Sequence, residues 1–201
     1  PTDTNNYNAR KYLDEARELI FVGKYAEAEK LIEKNMQGVY SQAYLPLGNL
    51  YIDFDYKNDS AVEGYTRELD LNTGITSVSY VKDNCSFYRE TFISAPDNAM
   101  IIKLQCDQPG QFNLHIGMDS QVKSQTSSLG DNGIVCHGRC PSHADPVYFN
   151  NGNLVYEDNQ GMLFDFRIKV ANDGGTVKSE NGKISVHGAN EVIIYLTAAT
   201  S

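Results

Sequence analysis

The sequence is poor in several residue types that mark particular classes of protein. The 201 residues include no tryptophan, six prolines and four cysteines, and 17 Lys and Arg stand against 26 Asp and Glu, for a formal net charge of −9. Nucleic acid and anionic membranes bind through cationic surfaces, so neither is expected as a partner. No apolar run approaches the roughly 20 residues of a membrane-spanning helix. Four cysteines are too few to staple a small fold, so apolar burial must supply the core.

The absence of several known motifs disfavours further classes of function. Free-standing sugar-binding modules commonly present exposed flat rings, often tryptophan, and the lack of tryptophan disfavours such a module. The chain has no nucleophile elbow, phosphate loop or His-x-x-x-His zinc helix. Carboxylates are abundant, and pairs such as Asp53 with Asp55 or Glu157 with Asp158 are explained most simply as solvated strand faces. Sequence spacing cannot identify the carboxyl pair of a glycosidase.

Helical periodicity is confined to the start of the chain. Apolar residues recur there at three- and four-residue spacing, which predicts a helical hairpin over residues 8–36. Asn8 is the predicted N-cap of the first helix and Gly23 its C-terminal stop. The second helix is predicted over residues 24–36. Its predicted buried face consists of Tyr25, Ala28, Leu31 and Ile32.

From about Leu47 onward the apolar period falls to two. Short alternating segments are separated by turn residues, with no helix between them, which predicts an antiparallel meander or sandwich. Residues 47–201 would form this strand-rich body, within a single domain over residues 1–201. The predicted strands cover residues 50–56, 65–71, 75–81, 87–94, 99–106, 112–118, 162–171, 176–180, 183–187 and 191–198.

Two cysteines lie on predicted strands that flank a turn at Pro96. Pairing the strands from this turn puts Cys106 opposite Phe87, with Cys85 diagonally off on the same face. A disulfide between Cys85 and Cys106 is possible in this register, but the register does not favour it. We therefore predict buried free thiols.

Residues 121–158 break the strand pattern, with one short strand candidate at 134–137. Long irregular segments in a domain are usually functional or disordered. Cys136, His137, Cys140 and His143 fall here and could in principle bind zinc. Adjacent Cys136 and His137 would point to opposite faces of a strand, so we predict no metal site. A local disulfide, free thiols and a ligand-binding loop remain as alternatives.

Several blocks share their order and spacing with a known family. They are Gly23-Lys24-Tyr25-Ala26-Glu27-Ala28-Glu29, Tyr44-Leu45-Pro46-Leu47-Gly48-Asn49-Leu50-Tyr51-Ile52-Asp53-Phe54, Tyr65-Thr66-Arg67-Glu68-Leu69-Asp70-Leu71, Arg89-Glu90-Thr91-Phe92-Ile93-Ser94-Ala95-Pro96-Asp97 and Gly138-Arg139-Cys140-Pro141. Over nearly the whole chain this order resembles the N-terminal β-sandwich domain of glycoside hydrolase family 95, the α-L-fucosidases and α-L-galactosidases. Cys140 departs from the family, which usually has an apolar or small residue before the proline.

The resemblance implies a mostly β fold, an antiparallel β-sandwich of the super-sandwich type with an N-terminal helical hairpin. In that family the catalytic groups lie on a following (α/α)₆ barrel, so no catalytic residue and no cofactor are expected here. The parent enzyme would remove terminal α-L-fucose or α-L-galactose from glycans by inverting hydrolysis. The chain alone would be inactive, lacking the barrel and the family's earlier strands.

The same resemblance implies partners and a location. The expected partners are the parent's own barrel and, through the parent, a carbohydrate substrate, without membrane insertion. Because such glycans lie outside cells, the parent is expected in the periplasm, secreted or at the cell surface.

Four side chains of the irregular segment are our candidates for the rim of the parent's substrate cleft. His137, Arg139, His143 and Tyr148 offer imidazole, guanidinium and aromatic groups, which suit a neutral sugar. The alternative from another class is a non-catalytic domain that binds glycans or another protein. A zinc-dependent module is a third.

Overall fold

The computed structural model describes residues 5–38, 41–148 and 150–201. Phe149 of the segment predicted to be irregular lies outside these ranges, as do the first four residues of the predicted domain and two residues that follow the hairpin. Within the described ranges, no helix combines the length and apolar character needed to cross a bilayer.

The described residues form two compact units. The smaller unit takes its residues from Pro1–Tyr44 and His143–Leu154, and the larger takes them from Leu45–Ser142 and Val155–Ser201. The smaller unit holds the α-helices and a short strand at His143–Ala144, and the larger unit holds the long strands. The prediction that residues 1–201 make one domain stays a prediction.

The smaller unit holds the predicted helical hairpin. A 3₁₀ turn at Ala9–Tyr12 leads into α1, and Gly23, at a φ of 80°, turns the chain into α2. The Lys24 amide donates to the Leu19 carbonyl at 2.8 Å, which satisfies a carbonyl of the last turn of α1. The helices are α1 (Leu13–Phe21) and α2 (Tyr25–Asn35), with a further 3₁₀ turn at Asn150–Gly152.

The fully buried side chain of each helix is small. Ala16 of α1 and Ala28 of α2 are buried, and α1 packs against α2. The prediction that Tyr25 belongs to the buried face is wrong, because its side chain is 69% exposed. Tyr25 begins α2, where the preceding turn offers no helical surface to cover it.

The larger unit consists mainly of two sheets of antiparallel strands. Its body is an eight-stranded sheet, in the order β2-β3-β4-β5-β14-β11-β8-β7, and a four-stranded sheet, in the order β1-β6-β13-β12. The short strands β9 and β10 form a separate pair outside these two sheets, and β9 belongs to the smaller unit. The strands are β1 (Asn49–Phe54), β2 (Glu63–Asp70), β3 (Ile75–Lys82), β4 (Cys85–Ser94), β5 (Ala99–Cys106), β6 (Phe112–Asp119), β7 (Ser124–Ser128), β8 (Gly133–Arg139), β9 (His143–Ala144), β10 (Leu154–Val155), β11 (Leu163–Asp173), β12 (Thr176–Glu180), β13 (Lys183–Ala189) and β14 (Glu191–Thr200).

The two large sheets share one apolar core, as a sandwich requires. Every pair of neighbouring strands in these two sheets is antiparallel. The alternation predicted on β6 is confirmed, since Phe112, Leu114, Ile116 and Met118 are all buried. The predicted fold class, an antiparallel β-sandwich with an N-terminal helical hairpin, is therefore confirmed. From the facing sheet, the core receives Ile134, Phe166, Ile168, Val170, Val192 and Ile194.

The predicted register between β4 and β5 is confirmed, but the predicted cysteine state is wrong. Phe87 lies opposite Cys106, as the turn at Pro96 requires. Cys85 nevertheless forms a disulfide with Cys106, across a Cα–Cα distance of 6.7 Å. Such bonds span Cα separations of about 4.4–6.8 Å, so a diagonal pair is within reach. Cys136 and Cys140 are free thiols.

The segment predicted to be irregular contains more sheet than the sequence indicated. β7 lies wholly within it, and β8 extends to Arg139, beyond the predicted strand at 134–137. The Ser-Gln-Thr-Ser-Ser sequence of β7 has no apolar alternation, and the strand forms at the edge of the sheet through its pairing with β8. His137 and Arg139 consequently lie on a strand and not in a loop.

Candidate functional site

His137 belongs to a charged cluster on one face of the eight-stranded sheet. Cys136 points into the core, so the adjacent His137 faces the other way. On β11 the residue opposite His137 is Asp165, and His137 Nδ1 lies 2.8 Å from its Oδ1. Arg167, two residues along the same face, donates from Nε at 3.0 Å and from Nη2 at 2.6 Å to Asp165 Oδ2.

The two oxygens of Asp165 are held differently. Oδ2 accepts two charge-assisted hydrogen bonds from one guanidinium, a strong and directional arrangement. Oδ1 accepts no hydrogen bond from the described residues. His137 Nδ1 lies within ion-pair distance of this oxygen, but the geometry is not that of a hydrogen bond. The two side chains form a charge pair only when the imidazole is protonated.

Arg139, at the end of β8, supports a tight turn in the same unit. Its Nη1 donates to the carbonyl oxygens of Gln160 at 3.0 Å and Gly161 at 3.3 Å. Gly161 has a φ of 83°, and an added Cβ would lie 2.0 Å from the carbonyl oxygen of Cys140. The turn thus requires glycine at position 161. The Arg139 guanidinium stabilises the turn through hydrogen bonds to two of its carbonyl groups. Arg139 is well suited to positioning backbone.

His143 forms a dyad with a buried carboxylate in the smaller unit. Its Nε2 lies 2.6 Å from Oδ1 of Asp145, whose side chain is buried. The Asp145 amide donates to the Asn153 carbonyl at 2.9 Å, so the backbone beneath the carboxylate is also fixed. In the neutral ring this contact puts the proton on Nε2 and leaves Nδ1 as an acceptor. Such an imidazole is oriented to accept a hydrogen bond from a hydroxyl.

Tyr148 presents its ring to solvent in the same unit. It is 83% exposed, and so is its neighbour Val147. Both lie in the segment between the short strands β9 and β10. An exposed phenol ring of this kind offers a flat apolar face with a polar tip, which is the combination used to stack on sugars.

The four candidate residues are thus distributed over two units. His137 and Arg139 lie in the larger unit, and His143 and Tyr148 in the smaller one. Their common role at a rim stays a prediction.

The partners of these residues, Asp165, Arg167 and Asp145, were missed by the sequence reasoning. Two spacings carried the signal. Asp165 and Arg167 are two apart on a strand and so share a face, and Asp145 follows His143 at the same interval.

The zinc interpretation finds no support in this arrangement. Cys136 is fully buried in the core and His137 faces away from it. Among residues 5–38, 41–148 and 150–201, one group of three potential ligands has its donor atoms close together, namely Cys85, Cys106 and Asp107. Its two sulfurs are already joined in the disulfide and supply no thiolate.

Phenol groups elsewhere in the larger unit are perturbed by their surroundings. The Tyr51 hydroxyl donates to Asp119 Oδ2 at 3.1 Å, and this hydrogen bond raises the pKa of Tyr51. Burial, followed by a 2.6 Å hydroxyl–hydroxyl contact with Tyr56, raises the pKa of Tyr80 well above its ordinary value. Both tyrosines are therefore held in the neutral, hydrogen-bonding form.

Comparison with known proteins identifies relatives over the whole chain. A family model described as "Glycosyl hydrolase family 65, N-terminal domain" matches residues 1–201. Alpha-L-fucosidase 2 of Arabidopsis thaliana is 33% identical over 210 residues, covering 100% of this chain and 25% of that protein. Probable alpha-fucosidase A of Aspergillus niger (strain ATCC MYA-4892 / CBS 513.88 / FGSC A1513) is 25% identical over 166 residues, covering 81% of this chain and 19% of that protein.

Among solved structures, the chain is similar to a putative kojibiose phosphorylase from human microbiome. Its TM-score is 0.46 at 10% identity, with 75% of this chain and 22% of that chain covered. The chain spans a quarter or less of the length of each of these proteins. The predicted resemblance to the N-terminal sandwich of a glycoside hydrolase is confirmed at that level, and the chain belongs to the family of glycosyl hydrolase family 65 N-terminal domains.

Proposed function

We propose that this chain is the accessory N-terminal domain of an α-L-fucosidase-like enzyme of the family 95 type. The enzyme would remove terminal α-L-fucose, or the related α-L-galactose, from glycans with inversion. The observation that carries the proposal is the 33% identity to Alpha-L-fucosidase 2 of Arabidopsis thaliana, which extends over 100% of this chain.

The division of labour follows from the chemistry of glycoside cleavage. The reaction needs one carboxyl group to protonate the leaving oxygen and another to activate water. The carboxylates near the candidate residues already form ion pairs within the chain. Asp165 pairs with Arg167, and Asp145 pairs with His143. We therefore assign catalysis to a helical barrel in the rest of the parent, and positioning to this domain.

Within that scheme each candidate residue has a distinct task. His143, oriented by Asp145, would accept a hydrogen bond from a sugar hydroxyl, and Tyr148 would stack on a ring. Arg139 would act as a positioning residue through the carbonyls of Gln160 and Gly161. His137 would meet the substrate from the Asp165 cluster.

The disulfide supports the proposed location. Disulfides persist in oxidising compartments and are rare in the reducing cytosol. The Cys85–Cys106 bridge therefore favours a periplasmic, secreted or cell-surface parent, where fucosylated glycans are found.

The first experiment compares the full-length parent with the isolated 201-residue chain on aryl α-L-fucoside and aryl α-L-galactoside, with the product anomer followed by proton NMR. We expect turnover with inversion by the parent alone. Hydrolysis by the isolated chain would contradict the assigned division. A parent inactive on both substrates, together with calorimetric glycan binding by the chain, would favour the non-catalytic alternative.

The second experiment tests the rim in the full-length parent. Alanine at Arg139 or His143 should raise KM more than it lowers kcat, because His143 would bind a sugar hydroxyl, Arg139 would position the turn at Gln160 and Gly161, and neither group reacts. The matched control is Arg17→Ala, at an exposed arginine of α1 that forms a 3.9 Å ion pair with Asp14. If both rim variants keep the kinetic constants of the control, the rim assignment is wrong.

A further inference from the structure

A polar groove lies on the outer face of the four-stranded sheet. Ile116 and Met118 of β6 point into the core, so the residues that alternate with them face away from it. The groove has a volume of about 620 Å³, and ligand pockets generally have roughly 300–1,000 Å³. Its lining includes Tyr51, Asp53, His115, Gly117, Asp119 and Lys183.

Gly117 leaves an opening in the floor of the groove. A glycine inside a strand weakens the sheet, and it often marks a bulge or the close approach of another backbone or a ligand. The pairing of β6 with β1 runs in one register through Gly117, so no bulge interrupts it, and its φ is not positive. Apart from its chain neighbours, no heavy atom of the described residues would lie within 4 Å of an added Cβ. Of these explanations, the geometry leaves the approach of a ligand.

The Tyr51 ring lies beside this opening and is held in place. Tyr51 is the cross-strand partner of Gly117, and its side chain is 45% exposed. Its hydroxyl donates to Asp119 Oδ2 at 3.1 Å, while Asn49 Nδ2 donates to Asp119 Oδ1 at 2.9 Å. A fixed aromatic ring next to a position without a side chain offers a flat surface for a sugar ring. Little freedom is lost when a ligand stacks on it, because the ring is already oriented.

The polar groups of the groove include donors and acceptors. His115 Nε2 lies 3.1 Å from Asp55 Oδ2, and its Nδ1 lies 3.0 Å from Ser185 Oγ. In the neutral ring the proton on Nε2 faces the carboxylate, so Nδ1 accepts from the Ser185 hydroxyl. Asp53, opposite His115, adds an exposed carboxylate, and Lys183 adds an exposed ammonium. These groups suit the hydroxyls of a sugar, which both donate and accept.

The turn between β12 and β13 also lines the groove and is attached to the other sheet. Asn181 and Gly182 form this turn with φ values of 52° and 73°. The Gly182 amide donates to Ser128 Oγ of β7 at 3.2 Å, and an added Cβ there would lie 3.1 Å from the Thr126 carbonyl oxygen. The groove is therefore built from both sheets of the sandwich.

We propose that this groove binds a neutral pyranose unit of a glycan. The sugar ring lies over Gly117 and stacks on Tyr51, the Asp53 carboxylate accepts hydrogen bonds from neighbouring hydroxyls, and the Lys183 ammonium donates to a hydroxyl oxygen. His137 faces outward from the eight-stranded sheet, on the opposite side of the sandwich, so this is a second sugar site. The inference goes beyond the proposed function and holds whether or not the parent cleaves fucosides.

The charges of the groove favour a neutral sugar over an acidic one. Asp53 and Asp119 place two carboxylates beside the single ammonium of Lys183, in a chain of net charge −9. A uronic or sialic acid would bring a further carboxylate and would be repelled. An apolar peptide side chain would cover Asp53 and Lys183 without replacing their hydrogen bonds to water, which is unfavourable.

The test is an NMR titration of the isotope-labelled 201-residue chain with single sugars. The probes are the methyl glycosides of L-fucose, D-galactose, D-glucose, D-mannose, D-xylose and D-galacturonic acid. Ligands of this size are expected to bind in about the millimolar range. We expect at least one neutral glycoside to shift the amide signals around Tyr51 and Gly117. It should bind at least about tenfold more tightly than the galacturonic acid glycoside.

Gly117→Leu is the sharpest variant, because its side chain fills the groove without touching the described residues at Cβ. We expect it to weaken binding at least about tenfold. Tyr51→Ala removes the stacking ring and should weaken binding about threefold to tenfold. The matched control is Thr176→Leu, which adds the same side chain at an exposed position of β12 outside the lining of the groove.

Each outcome decides the proposal. Binding that is lost in Gly117→Leu, weakened in Tyr51→Ala and unchanged in Thr176→Leu supports it. The proposal is overturned if no neutral glycoside binds at up to about 50 mM, if the acidic glycoside binds as tightly as the best neutral one, or if Gly117→Leu keeps the wild-type affinity. Circular dichroism checks the fold of each variant. If Gly117→Leu does not fold, Tyr51→Ala decides, and unchanged affinity in that variant overturns the proposal.

Discussion

The two ends of the eight-stranded sheet differ in what covers them. At one end Ile134, Ile168 and Ile194, on β8, β11 and β14, are fully buried against the four-stranded sheet. At the other end every residue of β2 is exposed, and Leu69 is 56% exposed. Both ends show a two-residue alternation in sequence, although Arg67 interrupts the apolar positions of β2. Alternation therefore predicts which side chains share a face, and a second layer decides whether that face is buried.

The largest effect should come from truncating the covered end. Ile168→Ala is expected to lower the free energy of unfolding by about 2–5 kcal/mol, since it removes buried methyl groups and leaves a cavity. Leu69→Ala at the uncovered end is the matched control and should cost within about 0.5 kcal/mol. Urea unfolding measures both values. Equal losses would mean that Leu69 is covered in solution.

The disulfide joins β4 and β5, between the two ends. Reducing it, or replacing both cysteines by serine, should cost about 3 kcal/mol for a sequence separation of 21 residues, because the unfolded chain gains freedom. Thermal unfolding with and without a reductant measures the effect. The same melting temperature under both conditions would show that the bridge does not form. The double serine variant, unaffected by reductant, is the control.

The covered end should also resist added volume. In Gly138→Ala the new Cβ would lie 2.0 Å from Cζ of the buried Phe164 ring. We expect a loss of about 1–3 kcal/mol from this overpacking. Gly117→Ala is the control, since nothing lies within 4 Å of its added Cβ. Urea midpoints that shift equally for the two variants would contradict the tight packing at Gly138.

The smallest effect is an alkaline one at Tyr80, whose ring stacks on that of Phe87. Burial and the Tyr56 contact raise the pKa of Tyr80 in the folded chain. The neutral phenol therefore stabilises the fold fully below the unfolded pKa of about 10, and this contribution is lost as pH rises further. Tyr80→Phe should show a shallower fall in unfolding free energy above pH 10. Identical slopes for the variant and the wild type would refute the buried phenol.

The strand pattern was predictable where side chains alternate in polarity. β5 and β12 begin and end at the predicted residues, and the turn at Pro96 set the register that put Phe87 opposite Cys106. β7 could not be found in this way. Its five polar residues form a strand because β8 offers unpaired backbone groups, and that is a property of the folded sheet.

The candidate residues were predictable as residue types, whereas their partners were not. His143 and Arg139 attract attention through their chemistry in any sequence. The hydrogen bonds of Arg139 to the carbonyls of Gln160 and Gly161 join residues 21 and 22 positions apart, which local spacing does not reveal.

The irregular pairing of β2 has a consequence for how copies of the chain behave together. The register with β3 shifts between Glu63 and Thr66, where Gly64 has a φ of 57°. A bulge with charged neighbours on the outermost strand interrupts the row of free amides and carbonyls that would otherwise recruit another chain. For this reason concentrated protein should not aggregate through β2. A variant without the bulge should form fibrils more readily from this edge of the sheet.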